Sequence, residues 1–493
     1  MAFNPTKNIQ ESKTINFVVP NTSKKETEES IEYLFTQSFI NNNDYTAFKE
    51  SETEASLYKW VDNHWSRIEM FDAQKIALEW IKNNSYYKYY TERKAKDCVK
   101  TLTVSMPSTV KELDKKTILI PLSNYWLKID DNNDITYFKP DRSLKITYCL
   151  NLIANEKKFD GNKYIPNKEL NKDSKWKKFL DSSIPNKDVQ KTLQEYIGYT
   201  LIPNADLQVA LFCEGEGSNG KGVFFEVISA LHQKEKVKSI NIERLDGFGL
   251  TPLIDASLII VPECGRTINE EMFKSIIAGD PVPVNRKNRD EITIKPTAKW
   301  LVSCNNLPTI KDQTDGTSRR MICVEWSKQF KKEEKIIGLA RQIIEEELED
   351  VLDWALNGLL EILKRDKREI FIAKDIEDKK NKHLYDTDSI AQWIEYCGLD
   401  YSKNNIYIDK SVIYDEYVKY CEENHITKRG DVNFWKEINR IFKEIDTIQP
   451  KINKNGKRVA VRKVNLGFGI FKEDLIKAVP APEIKLEDDD CPF

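Results

Sequence analysis

Residues 208–231 read QVALFCEGEGSNGKGVFFEVISAL. Gln208–Cys213 is an apolar run of strand length, and the residues after Lys221 space their apolar side chains as a helix does. Between the two, Gly215-Glu216-Gly217-Ser218-Asn219-Gly220-Lys221 fits the spacing GxxxxGK. That arrangement suits a phosphate cradle. Glycines let backbone N–H groups wrap an anion, the helix start adds its positive dipole end, and the lysine places a point charge at the outer phosphates. Only 18 of 493 residues are glycine, so the motif is not a by-product of a glycine-rich chain. Gly222 departs from the pattern, standing where a Ser or Thr would offer magnesium a hydroxyl. The bland alternative is a glycine-rich turn that binds nothing.

Four features downstream bear on that choice. Ser257–Val261 (SLIIV) reads as a second buried strand, running into Pro262-Glu263-Cys264. A carboxylate at a strand's C-terminal end beside a phosphate loop can hold magnesium through water and polarise an attacking water. Glu263 fits that role without an adjacent Asp. Lys274 then leads through Gly279-Asp280-Pro281-Val282 to a basic tip, Arg286, Lys287 and Arg289, flanked by VPV and EITI, which predicts a hairpin. Lys299–Cys304 (KWLVSC) is a further strand, ending in Asn305-Asn306-Leu307-Pro308, and an amide there can orient water or sense a γ-phosphate. Arg319 and Arg320 stand just before the strand that starts at Met321, a placement that suits an arginine finger reaching a neighbouring subunit's nucleotide.

This succession resembles the superfamily 3 helicases of the AAA+ ATPases, in the phage, poxvirus and plasmid primase–helicase branch. Within it, the chain is most similar to the replication initiator–helicases of staphylococcal pathogenicity islands. The resemblance spans about residues 205–330, and more loosely the IPLSNYWLKID and WKKFLD…LQEYIGY segments upstream. It implies an ATP-hydrolysing DNA helicase that initiates replication of a mobile element, working as a homo-hexameric ring with ATP and Mg2+ as cofactors. By position, residues 215–222 bind phosphate, Lys221 and Glu263 are catalytic, with Glu263 also the metal residue, and Asn305 is the sensor. Arg320 is preferred as finger because it directly precedes the strand, with Arg319 second. Lys274, Arg286, Lys287 and Arg289 would grip single-stranded DNA in the pore, where contacts independent of base sequence suit a translocating motor. A solvated basic turn is the plainer reading of that cluster.

The expected fold class is α/β: an AAA+ core with a parallel sheet, a mixed helical N-terminal region and a C-terminal winged-helix domain. The expected boundaries are 1–110 for a mainly helical domain of unclear role, 111–200 for a mixed strand and helical region, and 201–370 for the ATPase with its helical lid. Residues 371–479 follow as linker and winged helix, then 480–493 as an acidic disordered tail. The stretch from Ile31 to about Lys100, including FKESETEASLYKWV, reads as helical and aromatic.

Residues 428–463 carry eleven basic against four acidic residues, a net of +7. The segment FWKEINRIFKEI resembles a recognition helix, and KINKNGKRVAVRKV a basic wing. Lys436, Arg440, Lys457 and Arg458 would then contact duplex origin DNA. The last residues, Asp488, Asp489, Asp490, Cys491, Pro492 and Phe493, resemble the acidic tip of bacterial single-stranded DNA-binding protein, which docks host replication proteins. A solubilising tail is the alternative.

Composition bounds the rest. With 76 Lys and Arg against 79 Asp and Glu, the formal charge of −3 excludes a uniformly basic coat protein. No run of about eighteen apolar residues predicts a membrane span, and the start lacks a signal peptide's apolar region, so a cytoplasmic location is expected. The 9 cysteines have neither pairing nor zinc spacing, which suits reduced, buried thiols. Relatives often carry a primase domain N-terminally, but His64 is the sole histidine there and no zinc spacing occurs, so no primase activity is expected. Two other functions share the ATPase signature. One is an ATP-binding origin scaffold or helicase loader without unwinding; the other is a packaging motor, which should lack the Asp280–Arg289 pattern.

Overall fold

A computed structural model describes residues 29–49, 55–106, 108–109, 118–287, 289–310, 316–401, 407–443, 445–454 and 457–467. Residues 1–28 and the acidic tail expected at 480–493 lie outside the described residues. The chain divides into two compact units, residues 1–308 with 312–373, and residues 309–311 with 374–493.

The first unit opens with helices α1 (Ile31–Ile40), α2 (Met70–Asn83) and α3 (Glu92–Ser105) around strands β1 (Tyr45–Lys49), β2 (Ala55–Trp60), β3 (Trp65–Arg67) and β4 (Ser108–Thr109). The sheet order is β3-β2-β1-β4. Sequence periodicity predicts helix across most of this region, whereas β1 and β2 form an antiparallel pair with Ala47 opposite Leu57. The cause is two-sided burial. Ala47 and Leu57 pack on the three helices, while Phe48, Tyr58 and Trp60 pack on Trp126 and Ile146. A strand covered on both faces shows no alternation of polar and apolar residues, so nothing in the pattern marks it as a strand.

Strands β5 (Ile118–Pro121), β6 (Trp126–Ile129), β7 (Ile135–Phe138), β8 (Phe159–Asp160) and β9 (Lys163–Tyr164) follow as an antiparallel sheet in the order β5-β6-β7-β9-β8. Next come α4 (Lys175–Ser183), α5 (Lys187–Thr200), β10 (Ala210–Glu214), α6 (Lys221–Leu231), β11 (Val237–Ser239), β12 (Leu258–Cys264) and α7 (Glu270–Ala278). Then follow β13 (Val282–Arg286), β14 (Arg289–Ile294), β15 (Lys299–Cys304), β16 (Met321–Glu325) and α8 (Leu339–Leu363). Five of these strands form a parallel sheet in the order β11-β12-β15-β10-β16. Ala210–Cys213 and Trp300–Val302 are wholly buried, the continuous apolar run that parallel strands need when helices cover both faces. The unit is thus α/β with a parallel sheet, as expected.

Helix α8 ties the layers together. Its Asp353, almost fully buried, accepts from Lys158 Nζ (2.6 Å), Tyr164 Oη (2.9 Å) and the Asn167 amide (2.8 Å), fastening the antiparallel sheet to the helix. Beyond its C-terminus Arg365 reaches back to buried Glu195 on α5 with both guanidinium arms, at 2.6 and 2.7 Å. Between those anchors α5 and α8 cross with their backbones in contact. A Cβ on Gly198 would lie less than 3.0 Å from backbone atoms of Leu359 and Ala355, and one on Gly358 would press on the backbone of Gln194.

The second unit holds α9 (Lys374–Thr387), α10 (Ser389–Cys397), α11 (Lys410–Glu423) and α12 (Asp431–Ile441). Its short strands are β17 (Asp400–Tyr401), β18 (Ile408–Asp409), β19 (Thr447–Ile448), β20 (Lys451–Lys454), β21 (Lys457–Ala460), β22 (Lys463–Val464) and β23 (Leu466–Gly467). Trp393, Tyr417, Phe434, Ile438 and Val464 fill its core. The expected strand at 469–471 lies outside the described residues. Among the described residues no helix is long and apolar enough to cross a membrane, and no described cysteine forms a disulfide.

Backbone contact at the α5–α8 crossing leaves no room to give. Gly198→Ala or Gly358→Ala should destabilise the protein by about 1–3 kcal/mol or more, seen as a lower melting temperature. Gly217→Ala, whose new methyl would meet nothing within 4 Å, should melt as wild type does.

Candidate functional site

The loop Gly215–Gly220 is closed by geometry that only its own residues permit. Gly215 has φ +153°, and a Cβ there would lie 2.5 Å from both Asn219 Nδ2 and the Trp326 carbonyl. Gly220, at φ +96°, starts helix α6, and a Cβ there would strike Phe179 and Ser183 at 2.9 Å. Asn219 is buried, its amide donating to the Trp326 carbonyl (3.1 Å) and its oxygen accepting from the Lys221 amide (3.4 Å). Lys221 Nζ donates to the Gly215 carbonyl and to the Cys304 carbonyl at 3.3 Å. Burial depresses the affinity of Lys221 for its proton. Two further contacts hold the outer rim: Lys335 Nζ donates to Ser218 Oγ (2.8 Å), and Gln329 Nε2 to Glu216 Oε2 (2.9 Å). At Gly222 an added Cβ meets nothing within 4 Å, so the helix start is open there.

Register places the expected partners of the loop. Glu214 pairs with Cys304 across β10 and β15, and Cys304 with Cys264 across β15 and β12. The ends of three adjacent strands are therefore level, so the loop, Asn305 and Glu263 emerge on one edge of the sheet. Strands are about 4.8 Å apart, which sets Glu263 roughly 10 Å from the loop strand with Asn305 between. Asn305 and Glu263 are both exposed. Three buried cysteines also sit here. Burial pushes the Cys213 and Cys264 thiols up to about 12, and Cys304 higher still, so they stay protonated and unreactive.

The arginine pair lies at the other edge. Met321 pairs with Ala210, the first residue of β10, whereas the loop follows that strand's last residue. Five residues of strand, about 15 Å, thus separate Arg319 and Arg320 from the loop of the same chain. Arg320 is buried, its guanidinium donating to the Gly316 carbonyl (2.5 Å) and Gln208 Oε1 (3.3 Å). Burial lowers its proton affinity. Arg319 is exposed.

The expected hairpin is present. β13 and β14 pair antiparallel, with Arg286 opposite Arg289 and Lys287 exposed at the turn. Arg286 is buried, Lys274 is half-buried on α7, and the Arg289 side chain lies outside the described residues. In the second unit Lys436 and Arg440 are exposed on α12, opposite buried Phe434, Trp435 and Ile438. Arg440 is ion-paired to Glu437 at 2.6 Å. Lys457 and Arg458 fall on β21, which pairs with β20 as a hairpin; their side chains lie outside the described residues. So do Asp488, Asp489, Asp490, Pro492 and Phe493.

The sequence reading missed a groove beside the loop. A cavity of about 690 Å³ opens next to Ser218 and Gly220, walled by Phe179, Val223, Phe330, Ile336 and Leu339. Its walls come from α4 and α6 and, more than a hundred residues later, from the segment after β16, so no local pattern announces it.

A model of a family of unknown function (DUF5906) matches residues 213–320, from the loop strand to the arginine pair. A protein named "Putative helicase" from Acanthamoeba polyphaga mimivirus is 25% identical over 198 residues, 37% of this chain and 20% of that protein. Another of that name, from Invertebrate iridescent virus 3, is 23% identical over 271 residues, 48% of this chain and 29% of that protein. The chain therefore spans less than a third of either relative. The apo C-terminal region of NrS-1 superposes with a TM-score of 0.46 at 14% identity, covering 89% of this chain and 100% of that structure.

The loop geometry makes a direct prediction. Gly215→Ala should lower the melting temperature, because the methyl displaces Asn219 and opens the loop. Gly222→Ser should melt as wild type does, since the helix start has room for a hydroxyl. Thermal denaturation measures both.

Proposed function

We propose that this protein is an ATP-hydrolysing DNA helicase of the AAA+ superfamily 3, acting as a hexameric ring to initiate replication of a mobile element such as a pathogenicity island. The observation that carries the reading is the level edge where the GxxxxGK loop, Asn305 and Glu263 emerge from three adjacent parallel strands. The similarity to helicase-named viral proteins agrees with it.

In this reading the loop amides and Lys221 take the phosphates. The Lys221 ammonium leaves the Gly215 and Cys304 carbonyls for the phosphate oxygens, whose charge restores its proton affinity. The purine lies in the groove between Phe179, Phe330 and Leu339, where apolar walls exclude water. Glu263 polarises the attacking water across the gap of roughly two strand spacings, and Asn305 orients it. Magnesium when bound neutralises phosphate charge. The chain offers it Glu263 through water, Gly222 gives no hydroxyl, and among the described residues no cluster of three or more ligating side chains is present to hold it alone. Such sparse ligation suits an ion that keeps its waters and leans on phosphate oxygens.

The opposite placement of the arginines makes a neighbouring subunit their target. Exposure favours Arg319 as the finger, reversing the order that position before the strand suggests, with Arg320 bracing β16 against Gln208. Lys287 and Arg289 on the hairpin meet single-stranded DNA. The C-terminal unit acts as a winged helix, with Lys436 on the recognition helix and β20–β21 as the wing. The Pro-Phe tail meets host replication proteins.

Strand displacement by wild type, Lys221→Ala and Glu263→Gln decides between this and the loader reading, which the missing hydroxyl at Gly222 favours. The expected result is ATP-dependent displacement by wild type, no nucleotide binding by Lys221→Ala, and binding with turnover lowered about 10²–10⁴-fold in Glu263→Gln. Wild type that binds ATP and never displaces a strand would leave the loader. Arg319→Ala should bind ATP without turning it over. Mixed with Lys221→Ala it should regain about a quarter of wild-type turnover, because a heterologous interface can then combine an intact loop with an intact arginine.

A further inference from the structure

The region before the parallel sheet carries a surface that the ATPase reading does not use. Residues 82–100, KNNSYYKYYTERKAKDCVK, hold six basic and two acidic residues, a net of +4, with four tyrosines among them. The fold sorts these tyrosines into two pairs. Tyr86 stacks on Trp80 at 5.6 Å and Tyr89 packs against the helical core, so both serve the interior. Tyr87 and Tyr90 are turned outward, 66% and 50% exposed. A short 3-10 turn holds them, closed by the Tyr90 amide on the Tyr87 carbonyl (3.1 Å) and the Tyr89 amide on the Tyr86 carbonyl (2.9 Å). In such a turn residues i and i+3 eclipse, so the two rings stand on the same side.

Helix α3 begins directly after this turn, capped by Thr91. Its inner face is Ala95, Cys98, Val99 and Leu102. Arg93, Lys96 and Lys100, at i, i+3 and i+7, form an exposed stripe on the opposite face. That stripe runs about 10 Å along the helix from the tyrosine turn. Lys94, between them, is instead paired with Glu32 at 2.7 Å, so the outward cations are the ones aligned with the rings. One exposed tyrosine would carry no meaning. Two on one side of a fixed turn, heading a row of three cations, match a chain that alternates flat apolar faces with negative charge.

We propose that this surface binds single-stranded nucleic acid, with bases stacked on Tyr87 and Tyr90 and the phosphates following Arg93, Lys96 and Lys100. An acidic protein would use the cations and leave the rings without a role. Duplex DNA presents no open base face to stack. The proposal stands independently of ATP hydrolysis, since the surface lies on other elements and binding needs no nucleotide.

The test uses the full chain without nucleotide and a 30-nucleotide single strand containing 5-iododeoxyuridine. Photo-crosslinking followed by peptide mapping should place adducts on Tyr87 or Tyr90. By fluorescence anisotropy, Tyr87→Ala/Tyr90→Ala should weaken binding at least about fivefold, while Tyr87→Phe/Tyr90→Phe should bind as wild type because stacking needs the ring alone. Arg93→Gln/Lys96→Gln/Lys100→Gln should make the slope of log affinity against log salt shallower by about 2. Melting temperature and DNA-free ATP turnover should be unchanged in every variant, which separates loss of this surface from loss of fold or of the nucleotide site. Adducts confined to other segments, or wild-type affinity in the Tyr→Ala variant, would overturn the proposal. Affinity lost only in the cation variant would overturn it too, since binding would then rest on phosphate contacts without stacked bases.

Discussion

A buried ammonium organises the centre of this molecule. Lys221 lies at the first turn of α6, yet its Nζ reaches back over the loop to the carbonyls of Gly215 and Cys304. A charge taken out of water requires partners, and backbone carbonyls at two strand ends supply them. The contact fixes three things together: the closure of the loop, the start of the helix, and the position of β15 beside β10. The Gly215 amide answers by donating to the same Cys304 carbonyl at 3.0 Å. Because the lysine is bound to neutral oxygens, the anion of the proposed function would find a cation already desolvated and aimed.

The rest of the first unit holds that edge steady. Trp176, Phe224, Trp326 and Trp354 pack across α4, α6, α8 and the end of β16, with ring centroids 5.3–5.9 Å apart along the cluster. The same Trp326 offers the carbonyl that anchors Asn219. Packing behind the loop and polar closure of the loop therefore share one residue. A loop held this way keeps its curvature without a ligand, which is what preorganised anion binding requires.

Legibility from sequence followed the locality of the signal. The parallel core could be read because βα alternation, the GxxxxGK spacing and the continuous apolar runs of buried strands are each visible in a short window. The helices of the second unit could be read for the same reason, and α10 falls on Ser389–Cys397 as expected. The N-terminal hairpin could not. Its two-sided burial erases the alternation that marks a strand, and its partners Trp126 and Ile146 lie some seventy or more residues away. The apolar groove beside the loop was hidden likewise, since its walls meet only in the fold. The exposure of Arg319 and the burial of Arg320 are likewise invisible in a sequence where the two stand side by side.

The near-neutral total charge also changes meaning once the surfaces are placed. A net of −3 over 493 residues coexists with +4 over residues 82–100 and +7 over residues 428–463. Fields from such patches fall off within about 10 Å at ordinary salt, so each acts by its own composition and not by the chain's sum. The sheet adds a directional constraint. Its strands all point one way, so every helix start and strand end that can gather phosphates lies on one edge, and the exposed Arg319 lies on the other. A five-residue strand is too long for an arginine to bridge. Parallel topology alone thus keeps the Arg319 of one chain away from its own loop, which is why the proposed function calls on a neighbouring subunit.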